Sequence, residues 1–166
     1  MDRSALEYRK LDDRPVKDGC GLVGGVVIQK SHAAYSSAFQ STCGLAAALY
    51  WFELELDVLA VIHMGTRVAR IEHSGSYACR NVNSRETGRR SQHATANAID
   101  IAGFKFADGS SVSVLRDWGK DTPEGKFLFD VHRLACRLFN VTLGPDYNAL
   151  HANHFHLDLG RMRMCR

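Results

Sequence analysis

The sequence predicts an α+β fold: a small antiparallel sheet with helices packed on one face. Three observations carry that expectation. An apolar repeat at spacings of four and three runs from Leu45 to Leu59. A strand from Ala98 to Phe106 is closed by an Asp108-Gly109 turn and answered by Val112 to Leu115. A second helical repeat then follows Thr122-Pro123-Glu124, an N-cap, a first-turn proline and an acid. The predicted order is helix, strand, long loop, hairpin, helix, loop, strand.

Residues 1–18 read as a polar lead-in that offers little to bury, ahead of one domain over 19–166. Gly19-Cys20-Gly21 predicts a turn and Leu22 to Gln29 a short strand weakened by Gly24 and Gly25. Ser36, Ser37 and Ser41-Thr42 look like a polar approach to the first helix. That helix places Leu45, Leu49, Phe52, Leu56 and Leu59 on one face, with Thr42 as N-cap and Gly65 as its stop. Arg67 to His73 predicts a strand, Ser74-Gly75-Ser76 a turn, and Asn81 to Arg90 an exposed loop delivering Ser91. Phe127, Val131, Leu134 and Leu138 form the buried face of the second helix. Gly144-Pro145-Asp146 turns the chain toward a last strand over His154 to Gly160.

A net charge of +3 is too small to argue for nucleic acid, since the only dense basic cluster is Arg85 to Arg90. No run approaches the roughly 18 apolar residues of a membrane span. Met1 to Asp18 is charged and lacks the apolar core of a signal peptide. The five cysteines include no CxxC pair, which argues against a zinc knuckle or a thioredoxin-like site. Two disulfides with one thiol left over or externally paired are expected. Their connectivity is open on sequence alone. Oxidised cysteines imply a periplasmic or extracellular protein whose native export segment this chain lacks. A monomer is expected.

The chemistry concentrates in two stretches, Ser91 to Asp100 and His151 to His156. Strand alternation puts His154, His156 and Asp158 on one face of the last strand, opposite Phe155, Leu157 and Leu159. Asp100 shares a strand face with the small Ala98 and Ala102, while Ile99 and Ile101 point the other way. A carboxylate in so apolar a strand needs a partner, either a metal ion or an arginine. His93, seven residues earlier, can fold back toward it. The remaining histidines, His32, His63, His73 and His132, lie in polar, turn or helical settings and are not expected to be ligands.

Ser91-x-His93-x-x-Ala96-x-Ala98-x-Asp100 resembles the signature of the D-Ala-D-Ala carboxypeptidase, lysostaphin and hedgehog group of zinc peptidases. His154-x-His156 resembles that group's C-terminal HxH, and His151 matches a further histidine of its murein endopeptidase branch. More closely, Cys43 to Arg166 resembles the bacterial extensin-like C-terminal domain family. The blocks that carry this are Cys43-Gly44-Leu45-Ala46, Ser76-Tyr77-Ala78-Cys79-Arg80, His93 to Phe104, and Pro145 to His151. One departure is Ala96, where the wider group usually has glycine. Alanine adopts positive φ only at a cost, so a changed ligand geometry is expected if that backbone is required.

The resemblance implies a hedgehog- or DD-peptidase-like fold with a zinc site in the cleft on the open face of the sheet. It assigns His93, Asp100 and His156 as ligands of one Zn²⁺. His151 and His154 are the implied general base and the group that hydrogen-bonds the tetrahedral intermediate, with their roles exchangeable. The C-terminal motif offers no acid before Asp158, so the base must be a histidine. Arg80 is implied as a catalytic oxyanion partner, Ser91 as a substrate-binding or turn-shaping residue, and Asp158 as a carboxylate that orients a ligand histidine. The implied activity is hydrolysis of peptidoglycan peptides, of endopeptidase or of DD- or LD-carboxypeptidase type. A non-catalytic zinc-containing wall-binding module is the first alternative. A disulfide-stapled wall protein with structural histidines is the second.

Overall fold

The computed structural model describes residues 6–166 of the chain. Eleven strands, three α-helices and three 3₁₀ turns alternate along it. The strands are β1 (Glu7–Lys10), β2 (Arg14–Lys17), β3 (Cys20–Leu22), β4 (Gly25–Lys30), β5 (Ala34–Thr42), β6 (Val68–His73), β7 (Ala98–Phe106), β8 (Ser111–Ser113), β9 (Val141–Leu143), β10 (Phe155–Asp158) and β11 (Met164–Cys165). The helices are α1 (Cys43–Met64), α2 (Val114–Asp117) and α3 (Pro123–Leu138). The class is therefore α+β.

The sheet is larger and less uniform than expected. Nine strands join in the order β1-β4-β5-β6-β7-β10-β9-β11, with β8 pairing β7, and β2-β3 forms a separate ribbon. The pairing is mixed, because β5 runs parallel to β6 and β11 parallel to β9. Residues 7–17, read as a polar lead-in, form β1 and β2. Their side chains are all exposed, as their composition requires. Backbone pairing runs β1 along β4 and β2 along β3 through a turn at Asp18-Gly19, both at positive φ, and Arg14 of β2 also bonds Gln40 and lies over the Tyr77 ring. The first five residues of that lead-in lie outside the described region. The single strand expected from Leu22 to Gln29 is two, broken where Gly24 turns at φ 61°.

The serine-rich approach to α1 is instead β5. Exposed Ser36 and Ser37 mask its pattern, while Tyr35, Phe39 and Ser41 are buried. The first helix forms as its periodicity dictates. Thr42 Oγ1 accepts the Leu45 N–H at 3.1 Å, and Gly65 closes the helix in the left-handed conformation (φ 69°). Pro123 opens α3 behind Thr122, whose Oγ1 accepts the Gly125 N–H. One core cluster unites Leu45, Leu49, Phe52 and Leu56 of α1 with Phe127, Leu128 and Val131 of α3, over Ile71, Ile99, Ile101, Phe104, Phe155 and Leu157 of the sheet. With Ile99, Ile101, Phe155 and Leu157 committed to that core, alternation turns Asp100 and His156 to the opposite face.

Candidate metal centre

The centre is built where β7 and β10 pair with His156 directly across from Asp100. Beyond β6, Ser74 donates to the Asp100 carbonyl and Gly75 O accepts the Asp100 N–H, which fixes the backbone beneath the carboxylate. His93 arrives from a 3₁₀ turn, Gln92–Thr95. Ser91 caps that turn by accepting the His93 N–H at 3.3 Å, and Ala96 closes it at φ 51°, ψ 33°. The backbone at Ala96 is thus left-handed, and alanine carries the strain, about 1–2 kcal/mol for a non-glycine residue. Its methyl is fully buried.

Three ligand atoms converge. His93 Nε2 and His156 Nδ1 lie 3.2 Å and 2.9 Å from Asp100 Oδ1 and 3.2 Å from one another. The far nitrogens define the tautomers. His93 Nδ1–H donates to the Ser76 carbonyl at 2.6 Å, and His156 Nε2–H donates to Asp158 Oδ2 at 3.0 Å. Asp158 is held in turn by the Gly160 N–H at 2.7 Å. Both rings therefore aim lone pairs at one carboxylate oxygen and at each other. That arrangement is repulsive unless a cation sits among them, and two imidazoles with a carboxylate are a fitting donor set for zinc.

The protonation pattern expresses the same demand. Burial alone would raise the Asp100 carboxyl, but hydrogen bonds from His156 and His93, and their charges, hold it well below the usual carboxylate range. Burial would lower His156, yet hydrogen bonds to Asp100 and Asp158 push it up to about 9.

A cleft of about 470 Å³ opens over the cluster. Arg80, Arg89 and Arg90 are among its lining residues, together with Leu143, Tyr147 and Leu150. Arg80 reaches to 3.9 Å from Asp100 Oδ2, anchored beside the Cys20–Cys79 disulfide. His154 Nε2 lies 3.6 Å from Asp100 Oδ1, and its Nδ1 is bound to Asn153 Oδ1 at 2.8 Å. His151 stands one layer farther out, its ring 5.2 Å from that of His154, with Nδ1 on Asn148 Oδ1 at 2.8 Å. Burial first, then His154 and His156, push His151 down to about 4. Burial also lowers His154.

Of the eight residues singled out on sequence grounds, Arg80, Ser91, Asp100, His151, His154, His156 and Asp158 line this cleft, and His93 contacts Asp100 and His156. Ser91 borders it, though its hydroxyl already accepts from the His93 N–H. Asn148, Asn153 and the Ser76 carbonyl set the orientation of the histidines. Of these, Asn148 and Ser76 fall within blocks that carry the family resemblance, and Asn153 lies outside them. A second group, His132 with Cys136 and Cys165, also comes within ligand spacing, but its two sulfurs are joined in a disulfide and cannot bind a metal. Cys43 is the free thiol, and the expected count of two disulfides and one thiol holds. Such disulfides are consistent with an oxidising compartment. Among the described residues no helix is long and apolar enough to cross a membrane.

Fold and site together define an α+β protein with a His-Asp-His cluster on the floor of an arginine-rimmed cleft. The chain belongs to the extensin-like protein C-terminus family, whose model matches residues 1–166. No curated protein and no solved structure matches it.

Proposed function

We propose that the protein is a zinc-dependent peptidase that hydrolyses bacterial peptidoglycan peptides, in D-amino-acid cross-links or stem peptides, in the periplasm or outside the cell. The carrying observation is the convergence of His93 Nε2, the Asp100 carboxylate and His156 Nδ1, all within 4.8 Å of one another, beneath an open cleft. Three N/O ligands with one position left for water is the pattern of a catalytic rather than a structural zinc. Zinc held there supplies a Lewis acid and a water acidic enough to ionise near neutral pH.

The chain's own groups divide the remaining work. His151 donates Nδ1–H to Asn148, which leaves Nε2 as its lone-pair nitrogen, and its lowered pKa keeps that nitrogen unprotonated at neutral pH. It takes the proton of the attacking water and returns it to the leaving amine. Arg80, within 4 Å of Asp100, donates to the oxyanion of the tetrahedral intermediate, and His154, whose Nδ1–H is held by Asn153, donates to it from Nε2 once that nitrogen has taken up a proton. The substrate class rests on the resemblance of Ser91 to Asp100 and His151 to His156 to the D-Ala-D-Ala carboxypeptidase and murein endopeptidase group. The test is digestion of cross-linked muropeptides by zinc-loaded protein beside His151→Ala. Cleavage by the former, lost in a zinc-retaining variant, supports the reading. Zinc without cleavage by either points to a wall-binding module.

A further inference from the structure

The first helix carries apolar residues on both of its sides. A helix apolar all round is normally enclosed, yet α1 is enclosed on one side only. Leu45, Leu49, Phe52 and Leu56 face the core. On the opposite side Trp51, Val58, Val61 and Ile62 are 61%, 59%, 52% and 67% exposed. At 3.6 residues per turn these four, with Ala47 and Cys43, fall within an arc of about 100° centred opposite the core. The charge at the border of this arc, Glu55, is paired with Arg137 of α3. Nothing among the described residues covers the stripe.

We propose that this outward face of α1 is a dimer interface, and that its occupant is a second copy of the same chain. An isologous contact requires a surface complementary to itself, and a charge-free apolar stripe meets its own copy without like-charge repulsion. A helix of 22 residues offers a stripe of roughly 33 Å. The four exposed side chains alone present roughly 400 Å² of apolar area, about half of the ~800 Å² that each partner contributes to a standard interface. Trp51 near the middle is the natural anchor.

A lipid surface fits less well. Surface-binding helices carry lysine or arginine along the polar flanks, whereas here the flanks hold Glu55 and Asp57, paired with Arg137 and His32. The unpaired thiol of Cys43, exposed on this same stripe, is an independent pointer to a partner there.

The test is sedimentation velocity on the full chain at about 1 to 100 µM, a range that brackets a micromolar dissociation constant. The wild type should shift from monomer to dimer, with or without zinc, so the result does not depend on the peptidase reading. Cys43→Ser should dimerise equally, because the contact is packing and not a covalent link. Trp51→Glu and Ile62→Glu should each raise the dissociation constant by at least ~100-fold, the loss expected at an interface anchor, with unchanged circular dichroism. Should either variant misfold, Val58→Lys serves in its place. As a second readout, alkylation of Cys43 by a bulky maleimide should slow as wild-type protein is concentrated. A wild type that stays monomeric throughout, or a dimer indifferent to all three stripe variants, overturns the proposal. So does a monomer that instead floats with phosphatidylglycerol–phosphatidylcholine vesicles in a Trp51-dependent way.

Discussion

The eight histidines fall into two sets that meet opposite fates. His32 and His63 each hold a carboxylate of their own, Asp57 at 2.7 Å and Asp130 at 2.9 Å. His73 donates to the Ser37 carbonyl and accepts from Gly75 N–H, and His132 donates to the Arg166 carbonyl. Each of these four is satisfied locally. In the other set His93, His154 and His156 crowd a single oxygen of Asp100, with His151 behind them. Their outer nitrogens are well partnered, and their inner nitrogens face one another. The difference teaches that a candidate metal site is marked less by the number of histidines than by inner nitrogens crowded on one carboxylate oxygen.

Substitutions that erase the convergence should have the largest effect. Asp100→Asn and His93→Ala should abolish stoichiometric zinc, whereas His32→Ala and His132→Ala should leave metal content unchanged by elemental analysis. His151→Ala should keep its zinc and lose roughly 10²- to 10⁴-fold in hydrolysis rate, the usual range for a general base. Zinc at a thousandfold excess over its dissociation constant should stabilise the fold by about 4 kcal/mol. At about 2–4 °C per kcal/mol for a domain of this size, calorimetry should show the melting temperature rising by roughly 8–16 °C. Asp158→Ala removes the acceptor of the His156 Nε2–H and should weaken zinc by about 10- to 100-fold in competition titrations.

Protonation sharpens the same contrast. In the zinc-free protein His156 is raised to about 9, so its contribution to stability is complete below its unfolded value of roughly 6.5 and is lost as pH climbs through 9. Asp100 is held low, so its contribution is present above roughly 3.9 and fades as pH falls below that. Chemical denaturation of the zinc-free protein should therefore show greatest stability between these limits. Below about pH 9 zinc must also expel the His156 proton, which titration calorimetry in buffers of different ionisation enthalpy will detect. The smallest effect belongs to the satisfied set. His63→Ala removes a part-exposed pair worth about 0–1 kcal/mol and should not move zinc affinity.

Much of the scaffold was legible because local chemistry dictates it. Thr42, the leucine repeat and Gly65 define α1. The alternation from Ala98 to Phe106 defines β7, and Thr122-Pro123 opens α3. What escaped was strand structure whose stabilisation is not local. The exposed β1 and β2, and the three-residue and two-residue β9 and β11, carry too few side chains to show a period, and they form because a neighbouring strand offers backbone partners. Ser36 and Ser37 hid β5 in the same way. In the site, the spacing of His93, Asp100 and His156 was visible. The separation of His154 near Asp100 from His151 one layer out was not, because it depends on where Asn148 and Asn153 point. The left-handed Ala96 was foreseeable only as a question about the backbone.

Metal analysis after chelation and re-addition bears most directly on the claim that His93, Asp100 and His156 hold one zinc. Protein stripped with a chelator and dialysed against limiting zinc should recover one ion per chain. The Asp100→Asn variant, folded by circular dichroism, should recover none. A wild type that takes up no zinc, or a variant that takes up as much as the wild type, would contradict the assignment.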